Sequence, residues 1–357
     1  MYYDNRTGLE PLYEFTIMPL NARNIQTCNS YIIALVGTTL NLLLIIVLRA
    51  EKNSTLKAYS NVLTLNCICD MYFTFAWLIT DVQYETDQRG ITLVVGGVFN
   101  FLPRKYHFFA VWLGCNSMYI SMFIIPILFY TRYLLIVHKK ELSLRKLLGI
   151  ALIPIFMAIT LISTAVVAMY QTDAYQYRYS CEDLLSNPLW TAYGRTIDDC
   201  VYIDSRMSFA HVYTNVYIVY ASATYGSLIF FNYSIYKHMS QLSRGIVVTK
   251  YQRQLSILMI MQLILPLCCM TIPQLVLMFT LFARIRLNGG SIFMILFVEW
   301  IPLINPLLAF LFISNYRRRA ARIFIRALTC GKAQALARAI ATGAVESENT
   351  APTATTF

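Results

Sequence analysis

The sequence predicts an all-α bundle of seven transmembrane helices. Three observations carry this reading: an apolar composition, seven apolar stretches long enough to cross a bilayer, and an uneven spread of basic residues. The chain has 357 residues, of which 57% are hydrophobic and only 13% charged. A soluble domain carries about 25% charged residues. The mean hydropathy of +0.54 agrees. Gly and Pro are not enriched, which excludes collagen-like chains and disorder over most of the length. The same composition argues against a soluble globular enzyme.

The uncharged or nearly uncharged stretches are 30–48, 58–80, 106–131, 147–170, 207–236, 254–283 and 287–313. A helix rises about 1.5 Å per residue, so roughly 20 residues cross the hydrocarbon core. The fifth and sixth exceed that and are expected to tilt or project. Long continuous runs favour helices over a barrel, whose strands would alternate over segments of ~10 residues. Ile91 to Pro103 is apolar but too short to span, and is read as a loop or interfacial piece. The remaining units are an N-tail, 1–29, with no secretory signal, a juxtamembrane amphipathic helix, 314–330, and a disordered tail, 331–357.

Basic residues orient the bundle. The N-tail and even-numbered connections hold 10 Lys and Arg; the other connections and the C-tail hold 19. The N-terminus is therefore expected outside and the C-terminus inside. The net charge of +11 then faces anionic lipid and a cytosolic partner, not nucleic acid. The sequon at Asn5 lies on the outer side as a candidate glycosylation site.

No catalytic, metal or cofactor constellation emerges. The spans hold one Asp, too few for an aspartyl protease, and the seventh contains no Lys for a retinal Schiff base. No Cys pair has zinc spacing. Cys181 and Cys200 share a segment expected in an oxidising compartment and are candidates for a disulfide, with Cys28 and Cys115 as competing partners. Cys330 follows a basic helix and is a candidate palmitoylation site.

Ionisable groups inside spans tend to be functional or paired. Asp70, Asn41 and Asn305 lie in the second, first and seventh spans. Either they meet in a polar cluster that holds water or sodium, or each bonds local backbone. Glu299 either anchors a cationic ligand or pairs within the bundle. Pro266, Pro273 and Pro306 each free a carbonyl and can kink a helix, as a shape-switching bundle requires. Tyr213, Tyr217 and Tyr220 share one face of the fifth span. They form either a pocket wall or an aromatic belt.

Several motifs resemble one family. Gln252-Arg253-Gln254-Leu255, followed by Gln262, Pro266 and Pro273, is similar to the Q-[KR]-Q-L-x6-Q-x3-P-x6-P pattern of nematode seven-transmembrane serpentine chemoreceptors of the Str superfamily. Asn305-Pro306-Leu307 with Asn315-Tyr316-Arg317 resembles its [DN]-P-L and D-Y-R. Phe129 to Leu134 resembles F-x-Y-R-Y-L. Leu56 to Ser60, Asp70, and Ile197 to Tyr202 fit as well. The match runs from about residue 30 to 320, and the Str or Srd class fits best. Thr131 replaces the family's Tyr. Unlike rhodopsin-like receptors, no acid precedes Arg132, and Ala309 stands where N-P-x-x-Y would place Tyr.

The resemblance implies a G-protein-coupled chemosensory receptor, displayed at the plasma membrane of a sensory cilium and responding to a small odorant or secreted molecule. The expected ligand-binding residues are Met118, Tyr119, Tyr213, Tyr217, Gln274, Met278 and Phe293, in the outer half. Movement of the sixth span would open a cleft lined by Arg132, Lys250 and Arg253 for a heterotrimeric G protein. The competing functions are a seven-span ligand-gated channel protein, whose N-terminus would lie inside, and a small-molecule transporter, which should show internal repeats.

Overall fold

The computed structural model describes residues 13–16, 22–51, 54–86, 90–140, 142–172, 174–186, 190, 200–243, 250–282, 285–323 and 325. It is a seven-helix bundle. The spans are Ala22–Arg49, Ser54–Thr80, His107–Phe123 continued by Ile125–Val137, Leu144–Gln171, Ser208–Ser243, Lys250–Pro266 continued through Leu267–Thr271 to Ile272–Phe282, and Gly290–Glu299 continued by Ile301–Phe312. Five are long and apolar enough to cross a membrane. The fifth has the length but interrupts its apolar residues with Tyr, Ser, Thr and Asn.

The interruptions have a shared cause. Proline has no N–H and its ring crowds the preceding turn. Pro126 sits just past the turn at Ile124, and Pro302 just past the break at Trp300. In the sixth span, Pro266 and Pro273 flank a π-helical segment, Leu267–Thr271, with one residue too many per turn.

The first helix begins at Ala22, eight residues before the apolar stretch, inside what the sequence suggests is a tail. Three polar residues at this end find partners in the bundle. Gln26 accepts from Gln83, while Asn29 and Ser30 donate to Glu299.

A small β lid covers the end of the bundle where the first helix begins. Strands β2 (Gln83–Thr86), β3 (Gly90–Val94) and β4 (Cys200–Asp204) form an antiparallel sheet. The register pairs Gln83 with Val94 and Gly90 with Asp204. Gly90 permits the close approach: a Cβ there would lie 2.0 Å from the Ile203 carbonyl oxygen. Strand β1 (Tyr13–Thr16) pairs in parallel with β5 (Ile285–Asn288). Part of the Ile91–Pro103 piece is thus strand β3, followed by two short 3-10 turns. The loop helix Ala174–Ser186 packs against β4.

Beneath the lid, one apolar core runs down the bundle from Tyr119 and Phe123 to Tyr316. Most of the large apolar side chains left exposed, such as Leu35, Phe156 and Phe279, lie on the outward faces of spans, as in a chain whose solvent is lipid.

Candidate functional site

A cavity of about 50 Å³ lies directly under β2 and β3, between the third, fourth, fifth and sixth spans. It has room for about four water-sized groups. Val111, Met118, Ile162, Ala165 and Met169 make its apolar wall. Tyr84 and Thr86 of the lid, Tyr119, Tyr213 and Gln274 bring the polar atoms. No charged side chain lines it among the described residues. Tyr119 and Tyr213 hydroxyls share a hydrogen bond of 2.6 Å, joining the third span to the fifth. Burial pushes the Tyr84 phenol well above its ordinary range, so it stays neutral. The cavity therefore suits a small, uncharged molecule that is mostly apolar and carries a group able to bond a phenol or an amide.

The cavity continues into a second void of about 10 Å³. Tyr84, Met118, Tyr119 and Gln274 line both. The second is closed by Tyr217, Met270 and Pro273. Met270 belongs to the π segment and Pro273 to its exit. The floor of the pocket is thus the weakest part of the sixth span. On its other side, Tyr225 hydrogen-bonds Thr271.

Strand β2 connects the pocket with two further spans through strict alternation. Tyr84 and Thr86 face the cavity. Gln83 donates to Gln26 of the first span. Glu85 accepts from the Gly289 amide at 2.8 Å and from the Ser291 hydroxyl at 3.2 Å. Its carboxylate therefore caps the N-terminus of the seventh span, where unpaired N–H groups and the helix dipole favour an anion. At the sheet's far edge, Arg206 donates to both carboxylate oxygens of Asp204 at 3.1 and 2.8 Å, which holds the guanidinium above its ordinary range.

Two buried polar clusters lie within the bundle. Asn305 donates to both Asp70 oxygens at 3.2 and 3.0 Å, joined by Asn66 at 3.0 Å and Ser121 at 3.4 Å. Asp70 and Asn305 therefore meet across spans. Asn41 bonds backbone instead. It donates to the carbonyls of Gly37 at 2.9 Å and Pro302 at 2.8 Å. Pro302 is the carbonyl that Pro306 leaves without its helical donor, so Asn41 supplies what the proline removed. Glu299 accepts from Asn29 at 2.9 Å, Ser30 at 2.6 Å and Trp77 at 3.0 Å. Its carboxylate is engaged within the bundle and does not line the main cavity.

At the opposite end, a cavity of about 330 Å³ opens between the fifth and sixth spans onto Arg132. Ile229, Asn232, Tyr233 and Tyr236 line one wall, Ile260 and Leu263 the other. Arg132 itself is buried. The side chains of Lys250 and Arg253 lie outside the described residues. Residues 314–323 form the juxtamembrane helix, with Tyr316, Ala320 and Ile323 against the core. Arg319 binds Glu51 at 2.9 Å and the Ala50 carbonyl, and Asn315 donates to Glu51 at 3.1 Å. That helix is therefore tied to the first connecting loop.

Of the expected ligand-binding residues, Met118, Tyr119, Tyr213, Tyr217 and Gln274 converge on the two connected voids. Phe293 does not. It is half exposed and packs edge-to-face on Phe297, because Met294, Ile295 and Val298 take the inward face of that helix. The Met278 side chain, Asn5 and Cys330 lie outside the described residues. Cys181 and Cys200 are both fully buried in one apolar cluster with Val94, Trp190 and Tyr202. Cys28 is exposed, and Cys115 lines the main cavity. Sequence reasoning missed the lid residues Tyr84, Thr86, Ile91 and Leu93. The available signal was the polar–aromatic alternation of Gln83 to Thr86, followed by a glycine and Ile91 to Val94.

The comparisons agree with this architecture. No curated protein matches the chain in sequence. Among solved structures, the crystal structure of squid rhodopsin aligns with a TM-score of 0.59 at 12% identity, covering 88% of this chain and 89% of that one. At that identity the likeness speaks for the seven-helix fold alone. The family described as serpentine type 7TM GPCR chemoreceptor Str matches residues 26–321. That span runs from the first helix through all seven and into the juxtamembrane helix, so the chain belongs to the Str family of serpentine seven-transmembrane chemoreceptors.

Proposed function

We propose that this receptor detects a small uncharged molecule in the cavity beneath the β lid and couples it to a heterotrimeric G protein at the opposite end. The observation that carries the reading is the shared wall of the two voids: Gln274 and Tyr119 line the pocket, while Met270 and Pro273 close its floor. A ligand pressing on that floor acts on a π segment flanked by two prolines. A ligand shifts an equilibrium only by its differential affinity for the two states, and each tenfold shift needs about 1.4 kcal/mol. Movement of the sixth span would widen the cleft beside Arg132, where the last helix of a G-protein α chain inserts as a helix in a groove. Lys250 and Arg253 are assigned to the rim of that cleft.

The basic bias of the connections supports a lid and N-terminus outside and the cleft inside, at the plasma membrane of a chemosensory cell and its cilium. Asn5 is then open to glycosylation, Cys181 and Cys200 share an oxidising compartment, and Cys330 meets the inner leaflet as a palmitoylation site. The apolar pocket lining favours volatile or secreted apolar molecules over amines and acids.

The test is a ligand-panel screen in cells expressing the chain with promiscuous G proteins, alongside Arg132→Ala. A response lost in Arg132→Ala at equal surface display supports coupling through the cleft. A ligand-evoked current that survives both Arg132→Ala and G-protein blockade would overturn it in favour of a channel. An N-terminal epitope labelled on intact cells supports the orientation; labelling only after permeabilisation refutes it.

A further inference from the structure

A third cavity faces sideways, into the bilayer. It has a volume of about 230 Å³ and lies between the third, fourth and fifth spans. Phe123 and Met157 mark its upper end, Tyr130, Ile150 and Phe231 its lower end, and Pro126 and Pro154 its floor. From residue 123 to 130 a helix rises about 10 Å, and the fourth span covers the same depth from 157 to 150. The groove is therefore a channel of that length, running from mid-depth toward the C-terminal end. At that depth in a bilayer water is not the solvent, so a groove with this apolar lining suits hydrocarbon.

What lies below the groove identifies the hydrocarbon. Lys146 stands one helical turn beyond Ile150 on the same face. Arg145, Lys139, Lys140 and Lys237 are exposed at the same end. The connection between the third and fourth spans carries a single acid, Glu141. The geometry points to a bound anionic phospholipid, with one acyl chain in the groove and its phosphate on Lys146 and its neighbours. A sterol has no phosphate to meet those cations.

The position gives such a lipid leverage. Phe123 lines the groove, and its ring stacks on Tyr119 at 5.9 Å and meets Tyr220 edge-on at 6.0 Å. One side chain thus separates the lipid chain from a tyrosine of the ligand cavity.

The test uses the full chain in phosphatidylcholine nanodiscs doped with phosphatidylserine carrying a photoactivatable group at mid-chain, with cross-linked peptides mapped after illumination. Labelling is expected to concentrate on Ile153, Met157, Ala223 and Ser227. Ala223→Phe, which puts a ring into the groove, should abolish it. Lys146→Glu should lower it by about fivefold or more, the effect of a basic residue at an anionic surface. Labelling spread evenly to other lipid-facing positions such as Leu35, Phe156 and Phe279 would overturn the proposal. So would undiminished labelling in Ala223→Phe. Preferential capture of a photoactivatable sterol in the groove would overturn the phospholipid assignment. If Ala223→Phe fails to fold, the wild-type distribution decides alone.

Discussion

Asn41→Leu tests whether a side chain has replaced a backbone donor. Asn41 is fully buried, and its amide donates to the carbonyls of Gly37 and Pro302 at 2.9 and 2.8 Å. Gly37 retains its own helical position, but Pro302 lacks a helical donor because residue 306 is proline. Replacing Asn41 by Leu leaves that carbonyl in a membrane interior with no partner, a cost of about 1–3 kcal/mol. Part is offset, because the Asn41 Oδ1 has no partner among the described residues and disappears in the variant. The clean quantity is therefore the coupling, not the single cost. Pro306→Ala restores an N–H aimed at Pro302, so Asn41 should matter less in that background. Interhelical hydrogen bonds in membranes average about 0.6 kcal/mol and reach about 1.7 kcal/mol. A coupling of about 1 kcal/mol is expected between the two sites. It is read as melting temperatures of the four detergent-solubilised proteins, with a difference of about 1–2 °C for a chain of 357 residues. Equal losses from Asn41→Leu in both backgrounds would refute the compensation.

Three further outcomes follow from the lid and the far end. Gly90→Ala drives a Cβ into the Ile203 carbonyl; the sheet must shift, and ligand response should fall sharply while surface display, read by epitope staining, persists. Tyr213→Phe removes the 2.6 Å bond to Tyr119, costing about 1 kcal/mol, so a ligand that bonds this pair should lose about fivefold or more in potency in a dose–response assay. Arg319→Gln removes the cation facing Glu51, whose side chain is fully buried while Arg319 is 18% exposed. Asn315 and partial solvation keep the loss to about 2 kcal/mol, below the full cost of breaking a buried pair, and Glu51→Gln added to it should recover most of the lost thermal stability.

The spans were legible because membrane crossing imposes a length and a composition that any window along the chain reveals. Helical spacing put Tyr213, Tyr217 and Tyr220 on one face of the fifth span but left open whether that face met a pocket or the membrane interface, while the cost of burying polar groups marked Asp70 and Asn305. The lid was not. Its strands are four or five residues long, and β3 pairs with β4 across more than 100 positions, Gly90 with Asp204. No local pattern carries a pairing of that separation. Phe293 shows a subtler failure. Its depth in the seventh span suited a pocket, but depth does not fix the facing. Glu299 and Val298 point inward and turn Phe293 and Phe297 outward. Asn41 does not join Asp70 and Asn305 in one cluster: of the two alternatives open from the sequence, it takes the one in which it bonds backbone. The proline four residues beyond Pro302 contained that answer.

On the proposed function, the lid also changes where the signal would start. In a bundle read from its spans alone, a ligand acts on the sixth helix by direct contact, and the connecting segments only cover it. Here β2 presents Tyr84 and Thr86 to the cavity and, on its other face, holds the first span through Gln83 and the seventh through Glu85. On the same proposal, a ligand that shifts the strand at Tyr84 would also move the carboxylate of Glu85, the next residue on the opposite face. Movement of that carboxylate loosens the cap on the seventh span. The π segment of the sixth span meets the same pocket from below through Met270. On the proposed function, two helices would read one ligand through two independent contacts. Glu85→Gln should separate them: it keeps the lid and pocket but weakens the anionic cap, leaving affinity for a bound ligand near wild type while reducing the maximal response. If both fall together, as in Gly90→Ala, the strand serves only to close the pocket and the seventh span takes no part in the reading.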